Sequence, residues 1–308
     1  MDIWREEDHV CIGRRVAVVG NYGLLGQWLV RKLLEKGYYV HSALGCSPEE
    51  AAEMMSLPCA EQLLELRWRD LLDYTSITDV IEGCSAVFLT IPPCDSLNGL
   101  PHYPADVVDA EVRGTLNVVE ACASTASVKR LVLTSSASAV AFDTRKDSNM
   151  TGTEKPLDER SWSNVDFCRK SKAWSAVAKT VAEKAAWSLA RDRGVKLLVM
   201  NPAIVVSRDM IGMTKCTESV FPNVVEGLGS GVMAFAHVDT VADAHILAME
   251  SLDAYGRFLC FERLLAENEV VGLMTRFNPN KSLSRLKQLQ YTPLLISNDK
   301  IQRLGLRL

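Results

Sequence analysis

Short apolar runs alternate with stretches of helical periodicity through the first two-thirds of the chain. Residues 15–20 form an apolar run of strand length, and residues 24–36 repeat leucine at i, i+4 and i+8 before Gly37. Further strands are predicted at 38–44, 63–68, 86–90, 130–134 and 196–200, and further helices at 77–81, 106–123 and 170–193. Strands that are apolar on both faces and separated by helices are typical of a parallel sheet with right-handed crossovers. The pattern therefore predicts an α/β fold with a doubly wound parallel sheet.

The strict alternation of strands and helices lapses after about residue 203, where short elements with scattered glycine and proline follow. In doubly wound folds, a segment of this kind supplies a smaller lobe over the carboxyl ends of the strands. We therefore expect two parts. Their predicted boundaries are 14–202 for a dinucleotide-binding domain, to which 237–262 returns, and 203–236 with 263–308 for a smaller C-terminal substrate lobe.

Composition narrows the range of partners and compartments. The 34 basic and 38 acidic residues give a net charge of −4, spread along the chain, which argues against a nucleic-acid partner. No apolar run is long enough to span a bilayer, and the first residues lack the apolar segment of a secretory signal. Nine widely spaced cysteines without a Cys-x-x-Cys pair, and five histidines without ligand spacing, favour free thiols and no metal site. We expect a cytoplasmic protein without a membrane partner, and the oligomeric state stays open.

A glycine-rich turn follows the first predicted strand, with Gly20, Gly23 and Gly26 at three-residue spacing. Glycines at these positions permit a tight turn and let the backbone approach a pyrophosphate closely, while the N-terminus of the next helix offers free amide groups. A purely structural turn is the alternative. Because strand, turn and helix fall in the order that the mechanism requires, the segment predicts dinucleotide binding. The predicted cofactor-binding residues of this turn are Gly20, Tyr22, Gly23, Leu24, Leu25 and Gly26.

Two later strand ends add candidate cofactor residues. Asp70 follows the third predicted strand, where its carboxylate is suited to accept a hydrogen bond from an adenine amino group; a helix cap is the alternative. Leu71 beside it and Thr90 at the end of the strand 86–90 complete this group. The end of the second strand, residues 41–46, carries neither the acid that grips the ribose of NAD nor an arginine for the 2′-phosphate of NADP. The obvious residue therefore leaves the choice between NADP(H) and NAD(H) open.

Many stretches in the same order carry a family resemblance, which spans about residues 16–306. They are residues 19–30, 70–74, 114–122, 133–137, 162–163 with 166–168, 179–187, 237–239 and 254–260. In these stretches the sequence resembles the extended short-chain dehydrogenase/reductases. It looks most like the plant cinnamoyl-CoA reductase and dihydroflavonol reductase family, in its cinnamoyl-CoA-reductase-like branch.

The resemblance implies a Rossmann-type cofactor domain, NADP(H), and hydride transfer to or from a carbonyl group. It implies a small aromatic or acyl-CoA substrate, such as a hydroxycinnamoyl thioester, an aldehyde or a dihydroflavonol. Pro202 matches the family's proline turn, where backbone groups face the nicotinamide amide. The family's arginine for the 2′-phosphate aligns with Gly45, so that contact is absent here.

The resemblance also implies a catalytic serine, tyrosine and lysine. Ser136 matches the serine, whose hydroxyl would stabilise the carbonyl oxygen; taken alone, it could equally cap the next turn. Lys179 matches the lysine, which would hold the ribose hydroxyls and lower the pKa of the acid; taken alone, it would be a solvated helix residue. The tyrosine position, four residues before the lysine, is occupied by Ser175. A serine hydroxyl is much less acidic than a phenol, whose reference pKa is about 10, so Ser175 can at best position a water molecule.

Three residues elsewhere are candidate substitute acids: Cys168, His237 and Tyr255. His237 alone is more typical of a hydrogen-bonded structural histidine.

Two hypotheses about function follow from these residues. One is an NADP(H)-dependent reductase of a phenylpropanoid-type carbonyl or thioester, with impaired or altered proton transfer. The other is a catalytically weak or dead nucleotide-binding pseudoenzyme that acts as a sensor or scaffold.

Overall fold

Ten strands form two sheets in the computed structural model, which describes residues 13–20, 23–44, 48–68, 70–91, 104–142, 157–207, 232–266, 269 and 296–307. In chain order the strands are β1 (Arg15–Val19), β2 (Tyr39–Leu44), β3 (Leu64–Trp68), β4 (Ala86–Leu89), β5 (Arg130–Thr134), β6 (Leu197–Pro202), β7 (Ile204–Val206), β8 (Val232–His237), β9 (Gly256–Cys260) and β10 (Arg263–Ala266). The main sheet has the order β3-β2-β1-β4-β5-β6-β9, and every neighbouring pair in it is parallel. The smaller sheet has the order β10-β8-β7.

Helices cover both faces of the main sheet. In chain order the described helices are α1 (Leu24–Glu35), α2 (Pro48–Met55), α3 (Ala60–Leu63), α4 (Tyr74–Ile81), α5 (Pro104–Ser124), α6 (Ser138–Ala141), α7 (Val165–Lys170), α8 (Trp174–Arg193), α9 (Val238–Glu250) and α10 (Asp299–Arg303). Alternate residues of β1 serve opposite faces, because successive side chains of a strand point in opposite directions. Val16 and Val18 join a core with α1 and α9, whereas Ala17 and Val19 join a core with α4, α5 and α8. The prediction of a doubly wound parallel sheet is confirmed.

The chain order of the main sheet reverses between β1 and β4. Strands β1 to β3 proceed outward in one direction, and β4, β5 and β6 proceed in the other. At such a switch point the loops that follow the two central strands separate and leave a crevice at the carboxyl end of the sheet. The glycine turn after β1 and the residues after β4 therefore lie at the same crevice.

The predicted strands of the first two-thirds are confirmed to within two residues at each end, but the predicted helix at 170–193 is wrong at its start. The chain forms α7 up to Lys170 and begins α8 only at Trp174. Lys172 between them has φ 56°, a left-handed conformation that no α-helix can contain. The break places Ser175 in the first turn of α8. The short helices α2 and α3 were not predicted, and residues 208–231 of the segment with scattered glycine and proline lie outside the described residues.

Helix α9 follows β8 without a linking residue and is tied to α1. His237 is the last residue of β8 and caps α9, since its Nδ1 accepts a hydrogen bond from the Asp239 backbone amide at 3.3 Å. The indole Nε1 of Trp28 in α1 donates to Asp239 Oδ1 at 2.8 Å. The smaller sheet and the helix after the glycine turn are thus both connected to the first turn of α9.

None of the described helices is sufficiently long and apolar to cross a lipid bilayer.

Replacing Lys172 by glycine is expected to raise the free energy of unfolding. A non-glycine residue in the left-handed region costs about 1–2 kcal/mol, part of which the greater chain entropy of glycine offsets, so the expected gain is about 0.5–1 kcal/mol. Urea denaturation measures it. The matched control is Ala110→Gly on an exposed position inside α5, which should lose about 1 kcal/mol. A loss of stability in Lys172→Gly would contradict the strain at this position.

Candidate active site

The glycine turn has the conformation that a phosphate-binding turn needs. Gly20 follows β1 with φ 73°, and Gly23 caps α1 with φ 82°, both in the region that favours glycine. A Cβ atom on Gly20 would lie 3.0 Å from the carbonyl oxygen of Thr90, so the close approach of the two backbones also requires glycine. Gly26 is buried within α1. Tyr22 lies outside the described residues.

The N-terminus of α1 offers backbone donors. The first amides of a helix have no intrahelical acceptor, and at α1 these include the amides of Leu24 and Leu25. No side chain of the described residues caps this helix, and its first turn carries no acidic residue. The partial positive charge of the helix end therefore faces the crevice without a carboxylate in its own first turn to compete for it, which suits a phosphate group.

Thr90 and Leu71 lie against the same turn. The hydroxyl of Thr90 donates to the Gly20 carbonyl at 3.2 Å, and the Thr90 amide donates to the Val19 carbonyl at 2.9 Å. A Cβ atom on Gly20 would lie 3.4 Å from Leu71 Cδ1. The carbonyl of Leu71 in turn accepts a hydrogen bond from Asn117 of α5 at 3.0 Å. Three of the predicted cofactor residues, Gly20, Leu71 and Thr90, are thus in contact.

Asp70 supports the turn after β3 and does not cap a helix. Its Oδ1 accepts a hydrogen bond from the Leu72 amide at 2.9 Å, while Asp73 caps α4 by accepting from the Thr75 amide at 3.1 Å. The alternative interpretation of Asp70 as a helix cap is therefore wrong, because the helix begins at Tyr74. The Asp70 side chain is exposed, and its contact with an adenine group stays a prediction.

Ser136 and Pro202 lie together at the end of the neighbouring strands β5 and β6. The Ser136 carbonyl accepts from Asn201 Nδ2 at 3.1 Å, and the Pro202 carbonyl accepts from the Ala137 amide at 2.8 Å. The Ser136 hydroxyl oxygen accepts from the Ser138 amide at 3.1 Å, as the turn interpretation predicts. Since the hydroxyl only accepts in that bond, its proton stays available for a further acceptor. Ser136 can therefore stabilise the turn and also donate a hydrogen bond to a substrate.

Lys179 is buried and its ammonium group has two polar partners, so its interpretation as a solvated helix residue is wrong. Its side chain is only 3% exposed, and Nζ donates to the carbonyl of Ile91 at 2.6 Å. Nζ also lies 2.7 Å from Oε1 of Glu111, whose side chain is 7% exposed. Ile91 directly follows Thr90, so the lysine of α8 reaches the crevice at the end of β4.

Sequence reasoning missed Glu111. Glu111 lies in α5 on one face of the helix with Thr115, Val118 and Cys122. All four side chains are buried. A carboxylate on such an inward-facing stripe needs a charged or hydrogen-bonding partner, because an unpaired buried charge is costly. That signal was available, but the identity of the partner was not.

Ser175 lies in the first turn of α8, one turn before Lys179 on the same helix. Its side chain is half-buried, and no group of the described residues forms a hydrogen bond with its hydroxyl. The three candidate substitute acids have other environments. Cys168 packs with Phe142 and Val177, and burial raises the pKa of its thiol to about 11.

The remaining two substitutes have structural or surface positions. His237 caps α9, which confirms its interpretation as a hydrogen-bonded structural histidine. Tyr255 is 74% exposed, with Nζ of Lys300 located 4.6 Å from the centre of its ring. None of the three is therefore an evident replacement for a phenol at position 175.

A buried carboxylate of α8 holds the strand ends beneath the site. Glu183, one turn after Lys179, accepts from the Ser135 hydroxyl at 2.6 Å and from Asn201 Nδ2 at 2.9 Å. The Nε of Arg257 in β9 lies 2.5 Å from Glu183 Oε1, and both side chains are buried. The Arg257 guanidinium also lies 3.7 Å from the ring centre of Trp162. These bonds fix α8 relative to β5, β6 and β9, and so fix the positions of Ser136 and Lys179.

Comparison with known proteins places these features in a wider context. The model of the NAD dependent epimerase/dehydratase family matches residues 16–259. Cinnamoyl-CoA reductase 1 of Petunia hybrida is 37% identical over 306 residues, which cover 96% of this chain and 87% of that protein. Tetraketide alpha-pyrone reductase 1 of Arabidopsis thaliana is 31% identical, with 95% of this chain and 90% of that protein covered.

Solved structures agree with the fold. The crystal structure of vestitone reductase from alfalfa (Medicago sativa) is similar with a TM-score of 0.71 and 29% identity, covering 95% of this chain and 92% of that chain. The yeast methylglyoxal/isovaleraldehyde reductase Gre2, solved in complex with NADPH, has a TM-score of 0.70 and 23% identity, covering 94% and 92% of the two chains. At that lower identity the likeness concerns the fold alone.

Truncating Glu183 is expected to destabilise the protein strongly. Glu183→Ala leaves the Arg257 guanidinium buried without its carboxylate, and breaking a buried ion pair in this way costs about 3–5 kcal/mol. Urea denaturation followed by circular dichroism measures the loss. The matched control is Glu120→Ala, which removes the exposed partner of Arg193 and should change stability far less. Equal effects of the two substitutions would contradict the role of the buried pair.

Proposed function

The chain belongs to the NAD dependent epimerase/dehydratase family, in the cinnamoyl-CoA-reductase-like group of extended short-chain dehydrogenase/reductases, and from this we propose that it is an NADP(H)-dependent reductase. At the family level its chemistry is nicotinamide-dependent oxidoreduction. We propose a phenylpropanoid-type carbonyl or thioester as its substrate, with altered proton transfer because Ser175 occupies the tyrosine position. The single observation that carries the proposal is the buried ammonium of Lys179, fixed at the end of β4 beside the glycine turn.

The described residues fit a nicotinamide dinucleotide in the crevice. The turn at Gly20 and Gly23 and the N-terminus of α1 suit a pyrophosphate, because backbone donors are present and the first turn of the helix carries no carboxylate. Leu71 and Thr90 line the adjacent wall, and Lys179 is suited to hold the nicotinamide ribose. Tyr22 and Gly45, which belong to the same prediction, lie outside the described residues. NADP(H) is proposed on the family resemblance, with NAD(H) as the alternative cofactor.

The two sheets support the assignment of cofactor binding and substrate binding to different segments of the chain. We propose that 14–202 with 237–262 bind the cofactor, because β1 to β6 and β9 all belong to the main sheet. We propose that 203–236 with 263–308 form the substrate lobe, which accords with β7 and β10 pairing with β8 in the smaller sheet. A lobe at the carboxyl ends of the main strands suits an aromatic or acyl-CoA substrate.

The proposed reaction needs a hydride donor, a hydrogen bond to the carbonyl oxygen and a source of a proton. The glycine turn and Lys179 would hold a nicotinamide cofactor, which would supply a hydride for the carbonyl carbon of the substrate. The Ser136 hydroxyl donates a hydrogen bond to the carbonyl oxygen, where negative charge develops. A proton must then reach that oxygen or, with a thioester substrate, the thiolate that leaves as the tetrahedral adduct collapses to the aldehyde. The Ser175 hydroxyl is suited to position the water molecule that delivers this proton, since its own acidity is too low.

The second candidate function is a nucleotide-binding pseudoenzyme that acts as a sensor or scaffold. It is favoured by the absence, among the described residues, of an evident acid near position 175. The thiol of Cys168 is buried with a raised pKa, His237 caps a helix, and Tyr255 lies at the surface. General acid–base catalysis contributes about 10²–10⁴-fold, so its loss would leave binding intact and turnover slow.

Gly23→Val is expected to abolish NADPH binding. A branched residue is strained at φ 82°, and its side chain would occupy the space of the pyrophosphate, so the dissociation constant should rise at least about 100-fold. Fluorescence titration of NADPH measures it. Gly194→Val, at the far end of α8 with φ 73°, is the control for strain alone. Normal NADPH binding by Gly23→Val would overturn the proposed cofactor site.

Ser175→Tyr is expected to raise the rate of NADPH oxidation with cinnamoyl-CoA or cinnamaldehyde by about 10²–10⁴-fold, because it restores an acidic phenol one turn before Lys179. The matched control is Ser175→Phe, which supplies the same ring without a hydroxyl and should not exceed the wild-type rate, because it also removes the group that positions the water molecule. Absorbance at 340 nm measures the reaction. Equal rates in the two variants would show that the lack of a phenol at position 175 does not limit the rate of NADPH oxidation. A wild-type protein that binds NADPH but does not oxidise it would favour the pseudoenzyme.

A further inference from the structure

The ion pair between Glu111 and Lys179 links α5 to the candidate active site. Among the ion pairs of the described residues, only this one and Glu183–Arg257 have both side chains less than a tenth exposed. The two pairs differ in their surroundings. Glu183 accepts hydrogen bonds from several neighbours besides Arg257, whereas the described residues offer Glu111 no partner other than Lys179. Within the described part of the chain, Glu111 therefore pairs with the lysine alone.

We propose that Glu111 is a positioning residue that orients the Lys179 ammonium towards the nicotinamide ribose of the bound cofactor. The proposal rests on the function proposed above. An ammonium group has three N–H donors. Two are accounted for by the Ile91 carbonyl at 2.6 Å and Glu111 Oε1 at 2.7 Å, which leaves one donor for one further acceptor.

Burial makes the orientation specific. At 3% exposure the ammonium has little access to water, so its direction is set by the two fixed oxygens. A lysine side chain otherwise has free rotation about four bonds, and fixing it in advance removes an entropic cost of binding. The carboxylate also compensates a buried positive charge that would be costly alone.

Helix α5 gives Glu111 a rigid position with respect to the rest of the cofactor crevice. One turn further along α5, Gly114 lies against Leu71, where an added Cβ atom would come within 3.4 Å of Leu71 Cβ. Asn117 of the same helix donates to the Leu71 carbonyl. Helix α5 thus contacts both Leu71 and Lys179. These contacts fix the distance between the wall of the crevice at Leu71 and the ammonium group at the end of β4.

Glu111→Gln tests the proposal, because it keeps the length of the side chain and removes its charge. We expect it to weaken NADPH binding about tenfold, measured by nicotinamide fluorescence. Binding of adenosine 2′,5′-bisphosphate, measured by calorimetry, should stay at the wild-type level, because that probe lacks the nicotinamide ribose. NADH and AMP serve as the parallel pair of probes. A purely structural role of Glu111 would weaken both members of each pair.

A double-mutant cycle tests whether Glu111 acts through Lys179. In the Lys179→Met background, Glu111→Gln should cause no further loss of NADPH affinity, since the group that it orients is gone. The double variant removes both buried charges together and should fold even where a single variant does not. In it we expect normal binding of the bisphosphate and NADPH binding at least about tenfold weaker than in the wild type.

Three results would overturn the inference. They are unchanged or tighter NADPH binding by Glu111→Gln, an equal loss for the bisphosphate, and wild-type NADPH affinity in the double variant. Tighter binding would mean that Glu111 competes with the cofactor for the lysine. Failure of the wild-type protein to bind either NADPH or NADH would overturn the proposed function together with the inference, whereas the three other results leave the proposed function of the wild-type protein standing.

Discussion

The burial of charge on one helix is the constraint that organises this protein. Helix α8 carries Lys179 and Glu183 one turn apart, and both side chains are turned into the interior. Each requires a partner of opposite charge, because an isolated buried ion is too costly to retain. Glu111 of α5 satisfies the first, and Arg257 of β9 satisfies the second. The two pairs hold α8 between a helix and an edge strand, and thereby hold the Lys179 ammonium at the end of β4.

The chemistry of the crevice divides into a binding part and a proton-transfer part. The binding part has the glycine turn, the uncapped helix end and the oriented lysine, all of which suit a nicotinamide dinucleotide. The proposed proton-transfer part has Ser175, at the position where the family resemblance implies a tyrosine. A short aliphatic hydroxyl neither reaches as far nor ionises as readily as tyrosine. The proposed reductase and the alternative sensor share the first part and differ only in what the second part achieves.

Sequence periodicity predicted most of the fold because strand and helix patterns are local. The run at 15–20 and the leucines of α1 were sufficient to place the glycine turn between a strand and a helix. The break before α8 was not predictable in that way, since Lys172 adopts a left-handed conformation without the glycine that normally signals it. Burial of Lys179 was also missed from periodicity alone, because its partner Glu111 lies on another helix and only the tertiary fold brings the two together.

The junction at His237 restricts how the smaller sheet can move. Strand β8 passes into α9 with no spacer, and the first turn of α9 is bonded to Trp28 of the helix that follows the glycine turn. A hinge at this point would have to break the histidine cap or the indole–carboxylate bond. The smaller sheet is therefore mechanically continuous with α1, and a displacement of either one at this corner is transmitted to the other.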